Sequence, residues 1–345
     1  MTMKPAIAPL TDMSSRSSLA PVSDDRHRPF WSVMIPTYNC ATYLRQTLTS
    51  VLAQDPGPDV MQIEVIDDAS TKDDPEAVVR EVGRGRVLFH RQKVNVGHTA
   101  NFQTCLELSR GRIVHLLHGD DAVRPGFYEK MRVAFERVPG LGAAFCRQIY
   151  IDENGREVWE SPLERENSGI LENWLEKIAV RQPIQTPSIV VARDVYEQIG
   201  TFDRRLTAVE DWEMWVRIAA HREVWFETGQ LALYRVHGTS NTARVVRSAE
   251  NLRDVRRALA IIRCYLPQET ADAIVNASLA FWAGDALRNR VPVYIRKGDF
   301  AAVRAQLEEA LRCSRSPGTL AALVALLPAL VGMVLRRPSQ NTGVA

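Results

Sequence analysis

Trp31-Ser-Val-Met-Ile-Pro-Thr-Tyr-Asn39, continuing through Cys-Ala-Thr-Tyr-Leu-Arg-Gln-Thr-Leu-Thr-Ser-Val-Leu-Ala-Gln54, carries the pattern of an α/β chain. Trp31 to Ile35 is a short apolar run closed by Pro36, and beyond it Leu44, Leu48, Val51 and Leu52 fall on one helical face. Strand, loop and helix are therefore predicted in that order. The alternation recurs downstream: apolar Ile63–Ile66 before Asp67-Asp68, a polar stretch into Pro75–Val82, then Val87–Phe89, a helical pattern over about Ala100–Leu108, and Ile113–Leu117. Strands separated by helices imply a mostly parallel, doubly wound sheet. In such sheets ligands sit beyond the carboxyl ends of the strands, which directs attention to the loops after Ile35, Ile66, Phe89 and Leu117.

Outward from this core the pattern changes. After Phe145–Ile151, residues 152–187 mix charges, Gly and Pro around one short helical pattern at Leu171–Ala179, and read as a substrate-side insertion. An extended Ser188–Ala192, a helix over Asp211–Ala220 and strand-like Val224–Phe226 and Leu231–Val236 complete an α/β module spanning 29–243. From Val245 to Leu335 Arg- and Ala-rich helical periodicity dominates, broken near Pro267, Pro292 and Pro317, so 244–345 reads as a helical region. Residues 1–28 have no sustained apolar run and are expected to be a disordered leader without a secretory signal. No tandem repeat is found.

Composition narrows the class. The chain has 345 residues, 46% hydrophobic and 24% charged, enough for one large core or two smaller ones. A net charge of only +2 argues against nucleic-acid binding through bulk positive charge. It conceals a division, −5 over 1–243 and +7 over 244–345, as though two modules had different partners. Five widely spaced cysteines with no C-x-x-C exclude a disulfide framework or zinc knuckle, and are expected to be buried small residues in a cytoplasmic protein.

Three carboxylate pairs stand where the strand and helix ends are predicted: Asp67-Asp68, Asp120-Asp121 and Glu210-Asp211. Adjacent acids repel, and a fold keeps them together in water or around a cation. Each pair alone is also explained by turns or by helix N-termini. Together with Val33-Met-Ile-Pro-Thr-Tyr-Asn39, Val65-Ile-Asp-Asp-Ala-Ser70, Asn95-Val-Gly-His-Thr-Ala-Asn101, His115-Leu-Leu-His-Gly-Asp-Asp121 and Glu210-Asp-Trp-Glu-Met-Trp215 they have a more specific meaning. Over residues 31–240 the chain resembles the inverting glycosyltransferases of family 2, with the nucleotide-sugar-binding GT-A fold.

The resemblance implies a mostly parallel GT-A-type sheet flanked by helices, followed here by the helical region. It also implies an inverting hexosyl- or related transferase acting from a nucleoside-diphosphate sugar in cell-surface polysaccharide or glycan synthesis. Donor contacts are expected from Pro36, Thr37, Tyr38, Asp67, Asp68, Asn95, Gly97, Asn101 and Asp120, and a Mg2+ or Mn2+ site from Asp120, Asp121 and His237. The family's usual first acid in this loop is replaced by His118, which leaves open which of Asp120 and Asp121 ligates the metal. Asp211 is expected as the catalytic base that accepts the acceptor hydroxyl's proton. Glu210 and Arg235 are expected to support. The Q-x-x-R-W signature of processive synthases is missing, which favours single additions. The alternative is a nucleotide-sugar-binding protein without catalysis.

The tail poses a separate question. Leu320–Leu335 is an apolar run of about 16 residues, short of the roughly 20 needed to span a bilayer, and it contains Pro328 and Gly332. Arg312 and Arg315 precede it and Arg336 and Arg337 follow it. Peripheral membrane contact through 312–337 on the inner face, or a buried helix, are the two readings, and lipid-linked as well as carbohydrate acceptors are expected partners.

Overall fold

The computed structural model describes residues 15–23 and 28–335. Ten strands form one mixed sheet: β1 (Trp31–Thr37), β2 (Met61–Asp67), β3 (Leu88–Arg91), β4 (Ile113–Leu116), β5 (Ala122–Val123), β6 (Ala143–Ile151), β7 (Glu157–Glu160), β8 (Gly169–Ile170), β9 (Ile189–Ala192) and β10 (Val224–Arg235). The main path runs β3-β2-β1-β4-β9-β6-β10-β5. Pairing is parallel across β3-β2-β1-β4 and between β6 and β10, while β9 runs antiparallel to both β4 and β6. Every residue of β1 and β2 is buried, as expected for parallel strands covered on both faces. The chain turns from β1 to β2 on one side and later returns as β4 on the other, so the crevice beyond the end of β1 lies at a topological switch point. The two apolar stretches at 224–226 and 231–236 belong to one strand, β10, whose pairing with β6 is irregular between Glu227 and Ala232.

The helices of the first part are α1 (Ala41–Leu52), α2 (Pro75–Gly83), α3 (His98–Leu108), α4 (Phe127–Arg137), α5 (Trp174–Val180), α6 (Arg193–Ile199) and α7 (Glu210–His221). Beyond them come α8 (Asn241–Arg247), α9 (Glu250–Ile262), α10 (Ala271–Asp285), α11 (Val291–Arg296), α12 (Phe300–Cys313) and α13 (Pro317–Leu335). The two regions share one core: Trp212 of α7 lies 5.5 Å from Trp282 of α10, and Ser278 donates to the Val180 carbonyl at 2.9 Å. Asp254 of α9 accepts the backbone N–H groups of Thr207 and Ala208, each at 2.8 Å, and so holds the chain entering α7.

Two expectations change. Residues 15–23, read as part of a disordered leader, are packed: Leu19 is 5% exposed, and Thr201 and Arg204 donate their N–H groups to the carbonyls of Ser17 and Ser15 at 3.1 Å. Arg16 enters a buried polar cluster, 3.4 Å from Asp203 and 3.5 Å from Glu213. The polar composition of the leader hides this, because one arginine with a buried carboxylate to meet and one leucine with a core to join suffice to order a short strap. Residues 1–14 and 24–27 lie outside the described residues. Among the cysteines, Cys105, Cys146 and Cys313 are buried as expected, whereas Cys264 is exposed and Cys40 half-buried.

Glu213 and Arg217, one turn apart on α7, have no solvent-exposed side-chain surface. Arg217 donates to both Glu213 oxygens, at 3.0 and 2.9 Å, and to the carbonyls of Ile199, Gly200 and Thr201. Tyr265 donates its hydroxyl to Glu213 at 2.6 Å. A buried pair so fully bonded costs most when one partner is removed. Arg217→Met is expected to lower unfolding free energy by about 3–5 kcal/mol in urea titrations.

Candidate active site

The loops at the carboxyl ends of β1, β2 and β4 are stitched to one another. Asn39, with φ of 51°, accepts the N–H groups of Thr71 and Lys72 on its side-chain oxygen, and donates its own N–H to Ser70 Oγ at 2.8 Å. Asp73 accepts the Ala41 N–H at 2.8 Å, supplying α1 with the N-terminal acceptor that Cys40 does not. Thr47 of α1 donates toward the carbonyls of Gly119 and Asp121 at 3.0 and 2.7 Å. Gly119 has to be glycine: a Cβ there would stand 2.6 Å from Thr37 Oγ1 and 2.9 Å from Cys40 Sγ.

This framework presents His118, Asp120 and Asp121 as a cluster whose ligating atoms lie within 4.8 Å of one another. Asp121 is buried, and Arg235 donates its backbone N–H to Asp121 Oδ1 at 2.8 Å, while Oδ2 has no hydrogen-bond partner among the described residues. His118 Nδ1 lies 3.7 Å from that oxygen, and His118 Nε2 is likewise buried without a partner. Burial, followed by the neighbouring Asp120 charge, pushes the Asp121 carboxyl well above the usual range. Asp120 shifts down: burial opposes ionisation, but the hydrogen bond from His237 leads the contacts that outweigh it. Burial also lowers His118, leaving its imidazole a neutral lone-pair donor. Two acids and a neutral imidazole, with orphaned atoms on Asp121 and His118, are a donor set that fits a divalent cation.

The second half of the site is the start of α7. Asp211 accepts the Trp212 N–H on Oδ1 and the Gln182 amide on Oδ2, both at 2.7 Å, with Thr186 Oγ1 at 3.4 Å. Burial and then the adjacent Glu210 charge raise Asp211 to about 7, where a carboxylate is a stronger base than one in water and still ionises near neutrality. Glu210 Oε1 lies 2.9 Å from His98 Nε2 at the start of α3. Burial opposes charge on His98, but the Glu210 carboxylate more than compensates and its pKa is raised. His98 contacts Phe102 edge-on at 5.7 Å, and Phe102 stacks on His118 at 5.2 Å, so one helical turn links the start of α7 to the carboxylate cluster.

The expected donor residues divide into two kinds. Tyr38 is 49% exposed at the end of β1, while Pro36 and Thr37 are buried in that strand, with the Pro36 carbonyl accepting the Gly119 N–H at 3.0 Å. Asp67 is buried and held by Arg91 at 2.7 Å and by Ser70. Asp68 accepts the N–H groups of Val96 and Gly97 at 2.7 and 3.0 Å, and Asn95 donates to the Asp68 carbonyl at 3.1 Å, so the 95–97 loop is tied down over the end of β2. Gly97, at φ 86°, makes the turn into α3. Asn101 is corrected: only 2% exposed, it donates to the Ile66 carbonyl at 2.9 Å and shapes the loop from within, because its position one turn into α3 points the side chain at the sheet. Arg235, expected as a supporting residue, is buried and braced against Tyr43, donating to Asp120 and Asp152 carbonyls and to Gln46. His237 reaches the carboxylate cluster, 3.0 Å from Asp120 Oδ2, with its other nitrogen 2.9 Å from Thr239 Oγ1. His98, Gln182 and Thr186 were not singled out from sequence, since Gln182 and Thr186 lie beyond the one short helical pattern of the 152–187 insertion and a lone histidine has no partner until the chain folds.

Residues 32–200 match the model of the family described as Glycosyl transferase family 2. The chain is a family 2 glycosyltransferase, a member of an inverting family. This glycosyltransferase is 24% identical over 226 residues to an uncharacterized glycosyltransferase of Rickettsia typhi, covering 64% of this chain and 69% of that one. It is 26% identical over 260 residues to an uncharacterized protein of Mycobacterium tuberculosis, covering 69% and 77%. Its fold is similar to that of Staphylococcus aureus TarS 1-349 in complex with UDP-GlcNAc (TM-score 0.60, 17% identity, 88% of this chain and 90% of that one). It is also similar to the mannosyltransferase PcManGT of Pyrobaculum calidifontis in complex with GDP-Man and Mn2+ (TM-score 0.54, 18% identity, 92% and 86%).

The Gln182 hydrogen bond stabilises the ionised form of Asp211, opposing its burial. Gln182→Ala is therefore expected to raise the Asp211 pKa further, moving the acid limb of the turnover profile up by about 1 pH unit. In the unmodified enzyme that limb is expected near pH 7, the rate falling with the ionised fraction of Asp211 as pH drops.

Proposed function

We propose that this glycosyltransferase moves one sugar from a nucleoside-diphosphate sugar to an acceptor hydroxyl with inversion, in the synthesis of cell-surface polysaccharide or another glycan. The observation that carries the reading is the juxtaposition of a high-pKa carboxylate, Asp211, with the His118, Asp120 and Asp121 cluster across His98 and Phe102. The donor's base and ribose would lie against Tyr38 and the 95–97 loop, with its diphosphate directed toward Asp120 and Asp121. Fold neighbours in complex with UDP-GlcNAc and with GDP-Man and Mn2+ support a nucleotide-sugar donor.

Asp211, ionised, takes the proton from the acceptor hydroxyl as that oxygen bonds to the anomeric carbon. The bond from the same carbon to the diphosphate oxygen breaks on the opposite face, and the nucleoside diphosphate leaves. Mg2+ or Mn2+ held by His118, Asp120 and Asp121 would neutralise charge on the departing diphosphate. Gln182 and Thr186 aim Asp211, and His98 holds Glu210 beside it. His237, hydrogen-bonded to Asp120, would join or orient that ligand set. The acceptor, a carbohydrate or a lipid-linked glycan, would enter past the 152–187 insertion.

Asp211→Asn is expected to reduce transfer by about 10²-fold or more while donor affinity stays within a few-fold, measured by turnover and by calorimetric donor titration. Comparable turnover would sink the base assignment. Chelation is expected to stop transfer, and Asp121→Asn to weaken Mn2+ binding read directly by electron paramagnetic resonance. Full turnover in chelator, or unchanged Mn2+ binding in the variant, would remove the metal part of the proposal.

A further inference from the structure

Helix α13 (Pro317–Leu335) carries no charged residue over its 19 positions. One side of it meets the protein: Leu326 and Met333 are buried, and Leu323 and Leu330 pack against the core. The other side has no protein partner among the described residues. Leu320, Val324, Leu327, Val331 and Leu335 are 44, 62, 50, 56 and 78% exposed, and their spacing of three and four residues aligns them in one stripe. That stripe runs along most of the helix, about 24 Å. Ala321, Ala325, Pro328 and Ala329 are also exposed beside it, and no polar side chain interrupts it. The neighbouring α12 is built differently, turning Arg304 and Glu308 to water. A contiguous apolar strip of this size marks an interaction surface.

The charges around the strip select its occupant. Residues 310–345 contain Arg312, Arg315, Arg336 and Arg337 and no acid. Arg312 is 61% exposed on its side chain and Arg315 is exposed ahead of the helix; Arg336 and Arg337 lie outside the described residues. The nearest acid on the approach, Glu309, is buried and already shared by Arg253, Arg256 and Arg312. Pairing of two copies through this face, parallel or antiparallel, would set arginines against arginines with no acid between them. No helix among the described residues is long and apolar enough to cross a membrane.

We propose that α13 lies in the plane of an anionic bilayer interface, its stripe among the upper acyl chains and its flanking arginines on headgroup phosphates. The enzyme is thereby held at the surface, independently of the transferase chemistry, where lipid-linked acceptors would be displayed. The test uses the full chain with vesicles of phosphatidylcholine, with and without phosphatidylglycerol, read by flotation. The expected result is binding to the anionic vesicles that weakens as salt is raised. It should fall about tenfold or more in the V324Q/L327Q double variant and about fivefold for each of Arg312→Gln and Arg315→Gln. All four side chains are exposed, so circular dichroism and turnover on a soluble acceptor should be unchanged, which separates failure of this proposal from failure of the catalytic reading. The proposal is overturned if anionic vesicles do not bind the chain or if V324Q/L327Q binds them equally. Self-association in the absence of lipid that the same variant abolishes also overturns it, by assigning the face to a second copy.

Discussion

The buried Glu213–Arg217 pair is the interaction on which the catalytic half of this glycosyltransferase rests. A carboxylate and a guanidinium without water are tolerable only if each remaining donor and acceptor is met. The structure meets them from four directions: the carbonyls before α7, Tyr265 from the helical region, Arg16 from the N-terminal strap, and the helix itself. Satisfying that pair forces the strap, α7 and the C-terminal region into one unit. The first turn of α7, which carries Glu210 and Asp211, is then anchored at its root while its tip faces the site.

Opposite α7, the constraint is electrostatic. Asp120 and Asp121 are kept close in a largely buried loop, and the structure supplies Arg235 and His237 as partial compensation. The remaining unpartnered atoms, Asp121 Oδ2 and His118 Nε2, leave coordination capacity for a cation. Rigidity here comes from backbone contacts: Thr47 on two carbonyls of the loop, and Gly119 admitted so closely to Thr37 that no side chain would fit. A site that binds charge benefits from such a frame, because dipoles and carboxylates already in place need not reorganise when the ligand arrives.

Much of this was legible in the chain. The residues of β1, β2 and β4 are mostly apolar because those strands are covered on both faces, and the acids follow them because the loops at strand ends must meet polar ligands. The reading faltered where burial depends on distant partners. Asn101 looked like a ligand contact from its motif, yet its amide meets the Ile66 carbonyl of the adjacent strand. The leader looked disordered by composition, yet Arg16 meets the carboxylates of Asp203 and Glu213 and the Tyr265 hydroxyl 249 residues along the chain. The strands at 224–226 and 231–236 looked separate because the bulge in β10 interrupts the alternation that signals a strand.

The sequence by itself determined the layered α/β fold, the carboxylate pairs at its strand ends and the apolar, arginine-flanked tail, since periodicity and local residue type are properties of neighbours along the chain. Only the folded chain shows that Gln182 from the insertion meets Asp211, that His98 bridges to Glu210, and that no described residue covers the stripe on α13. Hydrogen bonds, desolvation and pKa shifts depend on which groups are brought within a few ångströms of each other, and for residues 29 and 112 positions apart only the folded chain specifies that.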